Sequence, residues 1–196
     1  ERLQAKGIDW RIYQDMADNF TDNPLVGFRA YRDANRGKGG ADLKDRALTT
    51  GALDRLRKDV LAGALPQVSW IVADAKGSEH PGPSSPAQGA LYTSQVLDAL
   101  TANPRIWART VLLVMFDEND GFFDHMPPPA PPSIAAAGHP LGGSTVDTAG
   151  EYPRLPAPPA AQIDEPALRG RPSGRGPRVP RSVASPWRPG AWAPLQ

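Results

Sequence analysis

The run from Thr110 to Pro132, TVLLVMFDENDGFFDHMPPPAPP, constrains this chain more than any other stretch. Thr110 to Phe116 are all apolar or β-branched and carry no charge. Asp117, Glu118, Asn119, Asp120, Gly121, Phe122, Phe123, Asp124 and His125 follow without a spacer. An uninterrupted apolar run of this length predicts a strand buried on both faces, as in a parallel sheet. Open α/β sheets bind ligands outside the carboxyl ends of their strands. At that end stand four carboxylates and a histidine. So many like charges in one place need a positive partner, and a divalent metal ion meets that need.

The segments ahead of this run supply the rest of an α/β pattern. Glu1 to Lys6 reads as the tail of a helix capped by Gly7, and Ile8 to Tyr13 alternates as a strand near a sheet edge does. Gln14 to Gly40 reads as a loop insertion with room for a short helix around Leu25 to Ala34. Leu53, Leu56, Val60 and Leu61 share one face of a helix over Gly51 to Ala62, with Thr50 placed to cap it and Gly63 to end it. Val68 to Ala73 is the next strand, followed by a Gly, Pro and Ser-rich loop holding Ser78-Glu79-His80-Pro81-Gly82-Pro83. Ser85-Pro86-Ala87-Gln88 is a capping box with proline at the first helical position. That helix runs to about Ala102, offers Leu91, Val96, Leu97 and Leu100 as its apolar face, and is stopped by Asn103-Pro104. Strand, helix, strand is a βαβ unit, whose two strands are parallel. Their carboxyl ends then share one edge, which puts the His80 loop beside Asp117 and Glu118.

Beyond Pro127 the character changes: 17 of the 23 prolines and 8 of the 19 glycines fall in the last 70 residues, a mixture typical of irregular chain. The expected division is therefore residues 1–132 as a partial α/β core and residues 133–196 as a Pro/Gly-rich irregular region. Val179 to Ala184 is a possible strand interrupted by Pro180 and Arg181. Length (196 residues) allows one real core. Lys plus Arg number 22 against 21 Asp plus Glu, and the net charge of +1 argues against nucleic acid as the main partner. No cysteine is present, which excludes thiolate metal sites and cysteine nucleophiles. No apolar run reaches the ~18 residues of a membrane span, and no secretory signal pattern opens the chain. It begins with Glu1, which reads as a cut or processed end.

Among the chemical candidates, Asp117-Glu118 stands out because a strand feeds straight into it; the bland alternative is a solvated acidic turn. An EF-hand is excluded, since its loop glycine would make Phe116 the first calcium ligand. His80, between Glu79 and Pro81 at a strand mouth, suits phosphate binding or proton donation. His125 fits the same role or a hydrogen bond within its own loop. His139 lies in the irregular region, where a structural role is favoured. Asp120 and Asp124 read as loop-capping carboxylates before second-layer metal partners. Phe122 and Phe123 read as packing residues, with lipid contact the weaker alternative.

DENDGFFDHMPPPAPPS, with SEHPGPSSPAQGA and LYTSQVLDALTANP ahead of it, resembles the bacterial phosphoesterase family that includes phosphocholine-cleaving phospholipases C. Acid phosphatases are more distant members of the group. GHPLGGSTVDTAGEY, PALRGRP and GPRVP extend the similarity to about Pro180. The resemblance implies a partial alkaline-phosphatase-like α/β/α sandwich with a mostly parallel sheet. It also implies metal-assisted attack on a phosphoester and an exported enzyme, secreted or periplasmic. By the same resemblance Asp117 and Glu118 are metal ligands, and His80 contacts phosphate or assists the leaving group.

The family's N-terminal Glu-Asn metal pair, in an ENRSFDHYFG-like segment, has no match here, and neither does the hydroxyl nucleophile expected ahead of Glu1. The chain thus looks like the middle of an enzyme. Expected substrates are phospholipids of the phosphatidylcholine type, with transient contact to a membrane surface. The ion is Ca²⁺, Mg²⁺, Mn²⁺ or, if histidines join, Zn²⁺. The alternatives are a phosphomonoesterase with the same metal site, a catalytically inactive truncated product, and a purely structural binding module.

Overall fold

A computed structural model describes residues 2–119, 121–122, 124–126, 128–135, 138–148, 152 and 178–187. In chain order the elements are α1 (Arg2–Ala5), β1 (Trp10–Tyr13), a 3₁₀ turn (Pro24–Gly27), α2 (Arg29–Asn35), α3 (Ala41–Ala47) and α4 (Leu53–Leu61). There follow β2 (Val68–Ile71), α5 (Pro86–Thr101), α6 (Pro104–Trp107), β3 (Leu112–Met115) and β4 (Arg181–Ala184). They fall into two compact units, Glu1–Leu112 with Ala184–Gln196, and Leu113–Val183.

The first unit is built on the parallel pair β1 and β2, with Trp10 opposite Val68 and Tyr13 opposite Ile71. Side chains alternate across a strand, and here both faces are covered. Trp10 and Ile12 pack with Tyr31, Ala47 and Leu48 from α2, α3 and the end of α3. On the other face Tyr13 meets Leu56 and Val60 of α4 and Val96, Ala99 and Leu100 of α5. Burying a Leu or Val side chain fully contributes about 1.5–3 kcal/mol, so Leu56 and Val60, both 0 % exposed, anchor that layer. Tyr13 donates its hydroxyl to Asp59 of α4 at 2.9 Å, and burial, with that carboxylate's help, pushes its pKa up. Helices on both faces of a small parallel sheet make this an α/β fold.

Several expectations are corrected. The parallel crossover joins β1 to β2, and β3 pairs with β4, so the expected βαβ unit spanning α5 is not the one the hydrogen bonds form. Crossovers of either length satisfy a parallel pair, and periodicity alone does not choose between them. β1 has one hydrogen-bonded neighbour among the described residues, as an edge strand does, yet it is well buried because two helical layers flank it. Thr50 does not cap α4: it accepts from the Met16 amide at 3.1 Å and donates to Asp15 at 3.3 Å, leaving Ala52 at the N-cap. Leu91 is 60 % exposed on α5, outside its packed face. The segment after α5 forms α6, with the Asn103 side chain capping it and reaching the Val60 carbonyl at 3.0 Å. By contrast Ser85 caps α5 and Pro86 opens it as the sequence predicts.

In the second unit β3 alternates half-buried and exposed residues. Leu113 and Met115 stand 61 % and 63 % exposed, so the strand is not buried on both faces. Among the described residues no second layer packs on that face. Beyond β3, Phe116 donates its amide to Pro180 at 3.2 Å. A small antiparallel bridge, Ile134 to Pro140, closes the turn that carries His139. Asp120, Phe123 and PALRGRP lie outside the described residues.

Candidate functional site

The carboxyl ends of β1 and β2 carry two loops that meet. Asp18, after β1, accepts the Ala75 amide at 3.1 Å, and the Phe20 ring packs on the His80 imidazole at 4.6 Å between centroids. His80 is exposed, and its Nδ1 lies 2.9 Å from the Pro81 carbonyl oxygen. The His80 amide donates to Ser78 Oγ at 3.1 Å, and the Glu79 amide to Ser84 Oγ at 3.0 Å. The loop lies close on α5: a Cβ at Gly77 would come within 2.8 Å of the Tyr92 ring. Burial, reinforced by the charge of Asp74, pushes the Tyr92 hydroxyl up to about 12. The loop partner of His80 is therefore the one after β1, which the sequence reading did not identify. A groove of about 350 Å³ in the first unit, between β2 and residues 109–112, includes neither His80 nor Phe20.

In the second unit Asp117 and Glu118 follow β3 after the single residue Phe116, and both are exposed. Among the described residues neither makes an ion pair or a side-chain hydrogen bond. Asp124 is different. It accepts the Arg178 backbone amide at 3.0 Å and the Arg178 Nε at 3.0 Å. Those donors, the backbone amide first, hold its carboxyl below the usual carboxylate range. Asp124 is thus occupied in fastening Arg178 to the DHM turn, and no spacing rule links residues that far apart in sequence. His125 is exposed beside it, and His139 is exposed in its turn. Two adjacent carboxylates suit a hard divalent ion, yet such ions take about six oxygen ligands or more. Among the described residues no group of three His, Cys, Asp or Glu side chains gathers there. Asp117 and Glu118 fit part of a coordination shell.

The model of the phosphoesterase family matches residues 1–194. The chain belongs to the phosphoesterase family. The chain is 57% identical over 196 residues to the non-hemolytic phospholipase C of Pseudomonas aeruginosa, covering 100% of this chain and 27% of that protein. It is 42% identical over 217 residues to the non-hemolytic phospholipase C of Burkholderia pseudomallei, covering 98% of this chain and 28% of that one. Phospholipase C A of Mycobacterium tuberculosis is 34% identical over 199 residues, covering 95% of this chain and 33% of its own. The chain thus spans roughly a quarter to a third of the length of these relatives.

The Asp124–Arg178 pair gives a testable pH response. A carboxyl whose folded pKa is depressed stabilises the fold above its ordinary value of 3.8, and that contribution is lost as pH falls through the folded value. Arg178→Ala is expected to raise the Asp124 titration midpoint, followed by carboxyl ¹³C shifts. The rise should be partial, because the backbone amide donor remains. An unmoved midpoint would remove the guanidinium from the explanation.

Proposed function

We propose that this chain carries part of the active site of a phospholipase C-type phosphoesterase. The reaction is hydrolysis of the phosphodiester of a phosphatidylcholine-like lipid, releasing diacylglycerol and a phosphorylated head group. The observation that carries this reading is 57% identity along all 196 residues to a protein named non-hemolytic phospholipase C. Asp117 and Glu118 would hold part of the shell of a divalent ion, which when bound neutralises charge on the phosphoryl oxygens. His80 is assigned to phosphate contact or to protonating the departing oxygen, and His125 to a supporting proton-transfer role. Exposed Phe122 and Met126, at 76 % and 75 %, suit transient contact with a lipid surface. The architecture that goes with this reading is alkaline-phosphatase-like, supported by helices on both faces of the parallel β1–β2 pair. The enzyme would act outside the cytoplasm, where such lipids are met.

A chimera tests the assignment: this chain replaces the matching stretch of the Pseudomonas aeruginosa non-hemolytic phospholipase C. Cleavage of p-nitrophenyl phosphorylcholine at a rate well above that of p-nitrophenyl phosphate is the expected result. Preference for the monoester would instead identify a phosphomonoesterase, and activity on neither would reject the reading.

A further inference from the structure

We propose that Phe20 and the Glu79–Gly89 contact form a clamp that fixes the tautomer and direction of the His80 imidazole, leaving Nε2 as its working nitrogen. The proposal deepens the reading of His80 given above and rests on it for its catalytic consequence.

The tautomer follows from the acceptor. A carbonyl oxygen only accepts, so the 2.9 Å contact to Pro81 places a proton on His80 Nδ1 in both the neutral and the charged ring. Nε2 is then a bare acceptor when the ring is neutral and a donor when it is charged. One hydrogen bond from an exposed ring exchanges readily with water, so orientation needs a second restraint. Phe20 supplies it, with ring centroids 4.6 Å apart and planes at 48°.

Phe20 is itself held at a cost. Among the described residues the non-glycine positions with positive φ are Phe20 (52°), Thr21 (66°) and Glu79 (65°). Strained backbone persists where the surroundings over-determine it, and it collects at functional sites. All three residues lie in the two loops that meet at His80. The Phe20 turn is fixed by Asn19, whose Oδ1 accepts the Thr21 amide at 3.1 Å and whose Nδ2 donates to Gln14 Oε1 at 3.0 Å. Gln14 is fully buried and donates to the Ala47 carbonyl at 2.8 Å. On the other side Glu79, directly before His80, lays its side chain against α5. A Cβ at Gly89 would lie 2.5 Å from Glu79 Cδ, so only glycine leaves that seat open.

The chain contains three histidines. Long-range ¹H–¹⁵N spectra of the ¹⁵N-histidine-labelled 196-residue chain therefore read the tautomers directly, with His80→Gln assigning the signal. His80 is expected as the Nδ1–H tautomer at alkaline pH. Phe20→Ala and Gly89→Ala should each convert it to an averaged pattern, and Phe20→Tyr should restore the wild-type pattern. In the chimera, Phe20→Ala should lower kcat about tenfold with KM little changed. Combined with His80→Gln it should cost nothing beyond His80→Gln alone. A wild-type Nε2–H or averaged pattern would overturn the clamp. So would an unmoved pattern in both Phe20→Ala and Gly89→Ala, or additive losses in the double variant. If the tautomer responds as expected while His80→Gln retains full activity, the clamp stands and the catalytic reading of His80 falls.

Discussion

Asp117→Ala in the chimera is expected to lower kcat/KM for p-nitrophenyl phosphorylcholine about 10³-fold, or about 4 kcal/mol. The reason lies in what the neighbouring carboxylates do. Phosphoryl transfer is mostly positioning and charge neutralisation, so if Asp117 holds the ion as proposed, its loss would remove stabilisation where the charge is greatest. Asp117 and Glu118 are exposed and unengaged among the described residues, whereas Asp124, seven positions on, is held by Arg178. Asp124→Ala is therefore the matched control, expected to stay within a few-fold of wild type and to keep its metal. Metal content, measured by atomic emission on the same preparations, should fall for Asp117→Ala alone. Retention of both activity and metal in Asp117→Ala would show that the pair is a solvated acidic turn.

The same contrast shows what the sequence could and could not disclose. The family was legible because its motifs are long and contiguous. α5 was legible for a local reason, since Ser85-Pro86-Ala87-Gln88 states a helix start without tertiary help. β3 was read correctly as a strand but wrongly as doubly buried: in an all-apolar run, nothing marks which face lacks cover. Thr50 looked like a helix cap and was claimed instead by Met16 and Asp15, partners 34 and 35 residues away. α3 escaped notice because ADLKDRA has one large apolar side chain; it is held by Arg46, which bonds Asp42 and the Trp10 carbonyl, each at 2.9 Å. The neighbour of His80 was missed for a similar reason. Positive φ at Phe20 and Thr21 follows from a buried amide network, and non-glycine residues give no sequence signal of it.

That network carries the largest stability effect expected in the first unit. Gln14 closes β1 with a side chain that is 0 % exposed in a segment whose composition reads as loop. Its Oε1 accepts from Asn19 at 3.0 Å and from Asn23 at 3.1 Å, and its Nε2 donates to Ala47 at 2.8 Å. Asn23 also donates to Ala47 at 2.8 Å, so one backbone carbonyl and three amides share a closed set of bonds. Buried polar groups are costly when unpaired, about 1–3 kcal/mol each, and a truncated buried side chain adds a cavity term. Gln14→Ala is expected to destabilise the chain by about 3–4 kcal/mol, a large part of the 5–15 kcal/mol typical of a domain. Urea unfolding of the 196-residue chain, followed by tryptophan fluorescence, measures the shift. Because Asn19 loses its acceptor in that variant, Asn19→Ala added to Gln14→Ala should cost clearly less than it does alone, with a coupling near 1 kcal/mol. Full additivity would mean that the two amides act independently, and the left-handed turn at Phe20 and Thr21 would then need another source of restraint.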